Sequence, residues 1–323
     1  MILVTGATGF LGAELAVQLL QTESKIRCIK RSSSIIPPKL IPFSHKIEWV
    51  EADILNYSDV EKAFDGITVV YHCAAMVSLD AKLKAQMISN NVVGTENIVN
   101  LCLHYQVKKL IHVSSIAALG NSINGEVITE QNYWDAFDVN NGYAISKYQS
   151  EMEVWRGIEE GLNAVIVNPS IILGVDASNE GTGMIFKNIQ NGLKYYTDGG
   201  SGFVDVADVA KTMILLADTD ILAQRFIINS ENVLYKILFE NIATAMGVHP
   251  PTKKATSFML GIAWRLSTLK AFFTGGKTNI TKDVATTATR LETFSNNKIK
   301  QAIKFEFKPI NETIKEVVQN FKR

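Results

Sequence analysis

Features that would specialise this chain are scarce in its sequence. It has only three cysteines, Cys28, Cys73 and Cys102. An odd number, each set in an apolar segment, points to buried reduced thiols and away from a disulfide framework. No Cys/His spacing typical of a metal centre occurs. Net charge is also missing, because 32 Lys and Arg are matched by 32 Asp and Glu. The chain therefore lacks the basic surface from which nucleic-acid binding draws counterion release, and no nucleic-acid partner is expected. With 7 prolines and no repeats or low-complexity tracts, neither a fibrous nor a disordered chain is expected. Long apolar runs are absent too. The most apolar stretch, Phe258 to Phe273, is interrupted by Arg265 and Lys270 and falls short of the ~20 residues a spanning helix needs. It reads as a lid or surface helix. Met1 leads directly into an apolar strand-like run without the charged and apolar regions of a signal peptide, so a cytoplasmic location is expected.

What is present fits a globular enzyme-sized chain: 323 residues, 47% hydrophobic and 20% charged, enough for one large domain or two intimate lobes. Short runs rich in Val and Ile (ILVTG, KIRCIK, KIEWVEA, TVVYHCAA, KLIHVSS, NAVIVNPS) alternate with helix-period stretches at Phe10 to Gln21, Asp59 to Phe64, Ala81 to Tyr105 and Tyr143 to Glu160. Strands without polar alternation are strands buried on both faces, so the fold class is α/β, a doubly wound parallel sheet with helices on each side. Ser58 ahead of Asp59 is a candidate cap, and Gly66, Gly157 and Gly161 are candidate helix stops. After about Asn168 the rhythm loosens. NEGTG and GLKYYTDGGSG read as loops around a short helix, before FVDVADVAKTMILLAD and RFIINS resume a helix and a strand.

The segment Thr5-Gly6-Ala7-Thr8-Gly9-Phe10-Leu11-Gly12 follows the first strand and opens the first helix. Gly6 permits a tight turn, Gly9 lets main chain approach a phosphate, and Gly12 leaves room for the helix to pack on the strand. The helix N-terminus favours the anion. This is the pattern of dinucleotide binding. It assigns residues 1–170, with a return at about 203–230, to a Rossmann lobe. Residues 171–323, mainly 171–202 and 231–323, form a smaller substrate lobe, with a cleft between the two. The second strand ends Ile29-Lys30-Arg31-Ser32, with no acid for a ribose 2′-hydroxyl. Arg31 offers a planar fork for a 2′-phosphate, which favours NADP(H) and leaves NAD(H) open. Asp53, with Ile54, either holds the adenine edge or caps the turn before Tyr57; the sequence leaves both readings open.

Tyr143 and Lys147 stand one helical turn apart on a common face. A neighbouring cation stabilises phenolate, which brings a tyrosine into range as an acid or base. Ser115, at the carboxyl end of the KLIHV strand and 28 residues before Tyr143, is placed to donate to a carbonyl oxygen on which charge develops.

Taken together and in this order, TGATGFLG, His72 to Ala75, NVVGTENIV from Asn91, Ser114-Ser115, YAISK and FVDVADVA from Phe203 resemble the extended short-chain dehydrogenase/reductase family, within the NAD-dependent epimerase/dehydratase superfamily. The similarity covers residues 1 to about 230. It implies a Ser-Tyr-Lys site of Ser115, Tyr143 and Lys147. It also implies a cofactor held by Gly6, Thr8, Gly9, Phe10, Leu11, Gly12, Arg31, Asp53, Ile54, Ala74, Ala75, Asn91, Ser114, Tyr143, Lys147, Pro169 and Ile171. Met76, Val77, Ile116 and Asn168 fall where relatives meet substrate. The Arg27 to Arg31 strand, NPSIILG and Gln224-Arg225-Phe226-Ile227 are more similar to dihydroflavonol reductases and 3β-hydroxysteroid dehydrogenases than to sugar-nucleotide epimerases, although Ser32 replaces the acid that often follows the arginine. The function this implies is hydride transfer between a ketone or aldehyde and an alcohol on a small or mostly apolar substrate. A nucleotide-sugar epimerase or dehydratase with tightly held NAD is the alternative, and a non-catalytic dinucleotide sensor is a second. Phe258, Met259, Ile262, Trp264, Phe272 and Phe273 are expected to be core or to line a substrate site. The helices over 81–105 and 143–160 pair subunits in relatives, which leaves a homodimer open.

Overall fold

The computed structural model describes residues 1–321 apart from 79, 123–124, 135–140, 178–180 and 275–281; of 81, 266, 268–274 and 282–284 only the backbone is described. Strands β1 (Ile2–Thr5), β2 (Ile26–Lys30), β3 (Ile47–Glu51), β4 (Val69–His72), β5 (Lys109–Val113), β6 (Ala164–Pro169) and, later, Gln224–Ile228 form one seven-stranded sheet. All of its pairings are parallel. Every residue of β5 and β6 is buried, as expected for unbroken apolar strands covered on both faces. Helix α1 (Phe10–Thr22) lies on one face. Helices α2 (Tyr57–Glu61), α3 (Lys84–His104) and α4 (Gly142–Glu159) lie on the other, with α3 and α4 packed along each other.

Chain order runs β1, β2, β3 outward to one edge, then returns to place β4 on the other side of β1. Such a reversal opens a crevice at the carboxyl ends of the two neighbouring strands, where open α/β sheets bind ligands. Beyond β6 the chain adds β7 (Ile171–Leu173), α5 (Gly183–Gln190), β8 (Tyr195–Tyr196), β9 (Gly200–Asp205) and α6 (Val206–Ala217). Helix α6 packs against α1, and β10 (Gln224–Ile228) then forms the sheet edge beside β6. A second, three-stranded sheet has β9 between β7 and β11 (Glu231–Leu234). It is followed by α7 (Tyr235–Met246), β12 (Lys253–Lys254), α8 (Ser257–Thr274), α9 (Lys282–Thr287), α10 (Asn297–Ile303) and α11 (Ile310–Phe321).

Local details differ from the sequence expectations. Helix α2 begins at Tyr57, capped by Asn56, whose side chain accepts from the Asp59 amide at 3.3 Å, so Ser58 is not the cap. The GGSG segment is not loop: Gly200 starts β9, and a Cβ on Gly202 would lie 2.4 Å from Asn229 Oδ1. Glycine is there for close approach, and composition alone makes it look like a turn. Phe258, Met259 and Ile262 on α8 are exposed at 77%, 39% and 43%, so they are not core; the side chains of Phe272 and Phe273 lie outside the described residues. Among the described residues no helix is long and apolar enough to cross a membrane.

Gly157 stands near the end of α4, which stops at Glu159. It lies inside α4, and a Cβ there would sit 2.5 Å from Val99 Cγ1 on α3 and 3.1 Å from Leu162 Cδ2. Both neighbours are buried. The missing side chain lets the two helices approach, against a helix-propensity cost of about 1 kcal/mol. Gly157→Ala should therefore destabilise the protein, because overpacking of about 1–3 kcal/mol exceeds the propensity gain. A urea-unfolding midpoint at or above that of the parent would contradict this packing argument.

Candidate functional site

The turn after β1 is built without side chains. Gly6 has φ +70°, the Gly9 amide donates to the Gly6 carbonyl at 2.9 Å, and a Cβ on Gly6 would lie 2.7 Å from the Ala74 amide nitrogen. A Cβ on Gly12 would lie 2.2 Å from the Gly6 carbonyl oxygen. Gly9 is the N-cap of α1 and provides no side-chain cap, so the first amides of the helix, from Phe10 onward, face outward without intrahelical acceptors. A groove of about 490 Å³ opens over this turn. Gly6, Thr8, Gly9, Arg31, Asp53, Ile54, Ala74, Ala75 and Asn91 line it, as do Met76 and Val77, which the sequence placed with substrate. A glycine cradle, free amide donors and a groove running past the ends of β1, β2, β3 and β4 fit a dinucleotide, with the pyrophosphate against α1.

The far end of the groove is basic. Lys30 pairs with Glu51 at 3.7 Å. Arg31 is exposed, its amide donating to Ser34 Oγ at 3.2 Å, and its guanidinium has no partner among the described residues. Asp53 both lines the groove and accepts from the Leu55 amide at 3.0 Å. Asn91, 3% exposed, grips the opposite wall: Oδ1 accepts from the Met76 amide at 2.7 Å, and Nδ2 donates to the Met76 carbonyl at 2.9 Å and to Ser146 Oγ at 3.1 Å.

Ser115 leaves the end of β5 and caps a short 3-10 turn over Ile116–Ala118, its Oγ accepting from the Ala117 amide at 3.2 Å. Tyr143 sits in the first turn of α4, where Asn141 Oδ1 accepts from the Tyr143 and Ala144 amides. Ser115 is the side chain that acts on the Tyr143 hydroxyl. Burial pushes the Tyr143 phenol above its ordinary value, and the bond to Ser115 draws it back. Lys147 is 6% exposed and donates from Nζ to the Val113 carbonyl at 2.9 Å. Burial brings its ammonium down to about 8, opposed by Cys73 and Glu151.

Near Lys147, the His72 and His112 rings meet at a tilt of 37°, with centroids 5.3 Å apart. Burial and the nearby ammonium depress both imidazoles, His72 to about 3. His72 is held between Thr5 Oγ1 at 2.7 Å and Thr95 Oγ1 at 3.2 Å.

Other predicted residues point elsewhere. Ser114 is 3% exposed and donates to Glu151 Oε2 at 2.7 Å, inside the protein. Asn168 is fully buried, with Nδ2 donating to the Ser115 carbonyl at 3.0 Å and to Glu151 Oε2 at 2.9 Å. Pro169 pairs with Ile228 inside the sheet, and the Phe10 ring lies over Gly174. Leu11 and Gly12 are buried in the first turn of α1. Ile116 and Ile171 line a second cavity of about 220 Å³, which also touches Ala144, Ser201, Tyr235 and Arg290. The sequence offered no signal for Ser201, Tyr235 or Arg290, whose neighbours are brought together only by the second sheet. Among the described residues no group of three or more His, Cys, Asp or Glu is placed to hold a metal ion.

Comparisons with known proteins show the family. The model of the NAD dependent epimerase/dehydratase family matches residues 2–228. A Synechocystis protein named for dihydroflavonol 4-reductase is 30% identical over 268 residues, 81% of this chain and 77% of its own. Cinnamoyl-CoA reductase 1 of Petunia hybrida is 28% identical, over 73% of this chain and 74% of its own. Among solved structures, gox2253 superposes with a TM-score of 0.86 at 28% identity, covering 100% of this chain and 98% of that one. UDP-glucose 4-epimerase of Thermotoga maritima, at 19% identity, 99% and 98% coverage and a TM-score of 0.80, shares the fold. With the family match running from the glycine cradle through the edge strand β10, the chain belongs to the NAD-dependent epimerase/dehydratase family and is an NAD(P)-dependent enzyme of the extended short-chain dehydrogenase/reductase type.

Proposed function

We propose that this enzyme interconverts a ketone or aldehyde and an alcohol, with NADP(H) preferred. The observation that carries the reading is the convergence at the end of β5 of Ser115, the Tyr143 phenol in the first turn of α4, and the Lys147 ammonium on the Val113 carbonyl at 2.9 Å. It sits at the end of the sheet where open α/β folds bind ligands. The glycine turn and the α1 amides hold the dinucleotide, whose nicotinamide supplies or takes up the hydride when bound. In the reducing direction Ser115 Oγ donates to the substrate carbonyl oxygen and Tyr143 gives its proton to that oxygen as it becomes an alkoxide. A phenol held protonated by burial suits this donor role. Lys147 then offsets the charge left on the phenolate until solvent reprotonates it. The second cavity, small and largely apolar in its lining, receives the carbonyl compound; residues 171–202 and 231–323 serve as the substrate lobe. The names of the reductase relatives support the direction, and a first substrate panel follows from them: a dihydroflavonol, cinnamoyl-CoA and simple aryl ketones.

Tyr143→Phe should lower turnover by about 10²–10⁴-fold while NADPH binding, followed by fluorescence, is retained; turnover near the parent rate would refute the assignment. The unpaired Arg31 is the reason for preferring NADP(H). Arg31→Ala should weaken NADPH by roughly tenfold or more, about 1.4 kcal/mol, and leave NADH affinity unchanged. Equal weakening of both would place the arginine elsewhere. NAD that copurifies and does not exchange would favour the epimerase reading.

The Lys147 ammonium, at about 8 in the folded enzyme, gives two pH effects. The kcat/KM for NADPH should fall as pH rises through about 8, where the free enzyme loses this charge. The unfolded chain keeps the proton up to about 10.5, so this lysine alone makes the fold gain stability between pH 8 and 10.5. Denaturation of Lys147→Met across that window should lack the gain; an identical pH dependence in both proteins would disprove it.

A further inference from the structure

Glu151, one turn beyond Lys147 on α4, is the most completely enclosed carboxylate near the site, with no exposed side-chain surface. Isolated burial of that charge would cost several kcal/mol, so its partners define its purpose. Oε2 accepts from Ser114 Oγ at 2.7 Å and from Asn168 Nδ2 at 2.9 Å. Oε1 accepts from Trp155 Nε1 at 3.3 Å and from Arg225 Nη1 at 3.0 Å. One carboxylate thereby ties the carboxyl ends of β5 and β6, and the edge strand β10, to the helix that carries Tyr143 and Lys147.

Arg225 extends the tie outward. Its Nε and Nη2 donate to the Glu130 carbonyl at 2.9 and 2.7 Å, and Nη2 also donates to the Asn132 carbonyl at 2.9 Å. The Glu130 carboxylate in turn accepts from the Ile227 amide at 2.9 Å. Segment 128–134 is therefore pinned along the outer edge of β10. It lies on the chain path from Ser115 to Tyr143 and contributes Ile128 and Trp134 to the second cavity, Trp134 stacking on Tyr148 at 4.7 Å. Asn168 completes the circuit, because the same Nδ2 that meets Glu151 also holds the Ser115 carbonyl.

We propose that the buried Glu151–Arg225 pair is a positioning device: it clamps segment 128–134 and, through Ser114 and Asn168, the Ser115 turn, so that Ser115 and Tyr143 meet and the substrate cavity keeps its wall. The catalytic consequence rests on the reading of Ser115 and Tyr143 given above; the clamp itself does not. Arg225 works through its fork, since three of its nitrogens bind in one plane and a lysine has a single nitrogen to offer. Neither residue lines the groove or the second cavity.

The test uses the full-length protein and two variants. Arg225→Lys keeps the charge and removes the fork. Arg225→Met with Glu151→Gln removes both charges together, so that no unpaired ion is buried and the fold is retained. Amide hydrogen exchange read by mass spectrometry should rise about tenfold or more in peptides spanning 115–119 and 128–134 in both variants, with β1 and β4 unchanged. Measured well below pH 8, where Lys147 keeps its charge without Glu151, NADPH affinity should be unchanged. With 4-nitrobenzaldehyde as probe, kcat should fall by about tenfold or more at constant KM for NADPH. Exchange that rises evenly across the sheet, or a double variant with parental exchange and kcat, would overturn the proposal. If the parent itself reduces no carbonyl probe, the reductase reading fails while the exchange pattern still decides the clamp.

Discussion

The structure depends on how closely two stretches of backbone can pass at the end of β1. The turn at Gly6 and the loop leaving β4 meet where a single added Cβ would overlap main-chain atoms of Ala74, and α1 starts against the Gly6 carbonyl because Gly12 has no side chain. That contact brings the reversal of strand order and the open helix N-terminus to one place. A phosphate-sized anion then finds amide donors without any cation from the protein. The cationic residues that line the groove, Lys30 and Arg31, stand at its other end.

The groups proposed to react are governed by a contest between burial and partners. Lys147 is pushed toward neutrality by its surroundings and held back by Cys73 and Glu151, while Tyr143 is kept protonated by burial and moderated by Ser115. The histidine pair near them stays uncharged for the same reason. The site is thus a low-dielectric pocket with one ammonium, in which each hydrogen bond counts for more than it would in water. Such an arrangement tolerates little displacement, and the polar groups around it, Asn91, Asn168 and Glu151, all hold backbone or side chains in place.

Much of this was legible in the chain. Unbroken apolar strands announced a parallel sheet, and β5 and β6 are buried throughout as that pattern requires. Three spaced glycines at a strand-to-helix junction announced the groove, and residue type and spacing singled out Tyr143, Lys147 and Ser115 as the candidate site. Where the reading slipped, the cause was tertiary. Gly200 looks like a break because composition does not distinguish a glycine needed for a turn from one needed for close packing. Ser114 and Asn168 have residue types suited to a ligand, yet Glu151, an unremarked acid on α4, turns both inward. Phe258, Met259 and Ile262 read as core or cavity because apolar character does not reveal whether another element covers it.

By itself, then, the sequence determined what is local: strand and helix periods, the glycine turn, the helical offset of Tyr143 and Lys147, and the absence of an acid after β2. These follow from backbone geometry and spacing within a few residues. Only the tertiary structure decided which groups meet: Ser115 with Tyr143 across 28 residues of chain, Lys147 with the Val113 carbonyl, and Glu151 with Arg225 from the sheet edge. Contacts between distant segments depend on strand order and helix packing, and their electrostatics depend on burial; neither quantity is written in any single stretch of residues.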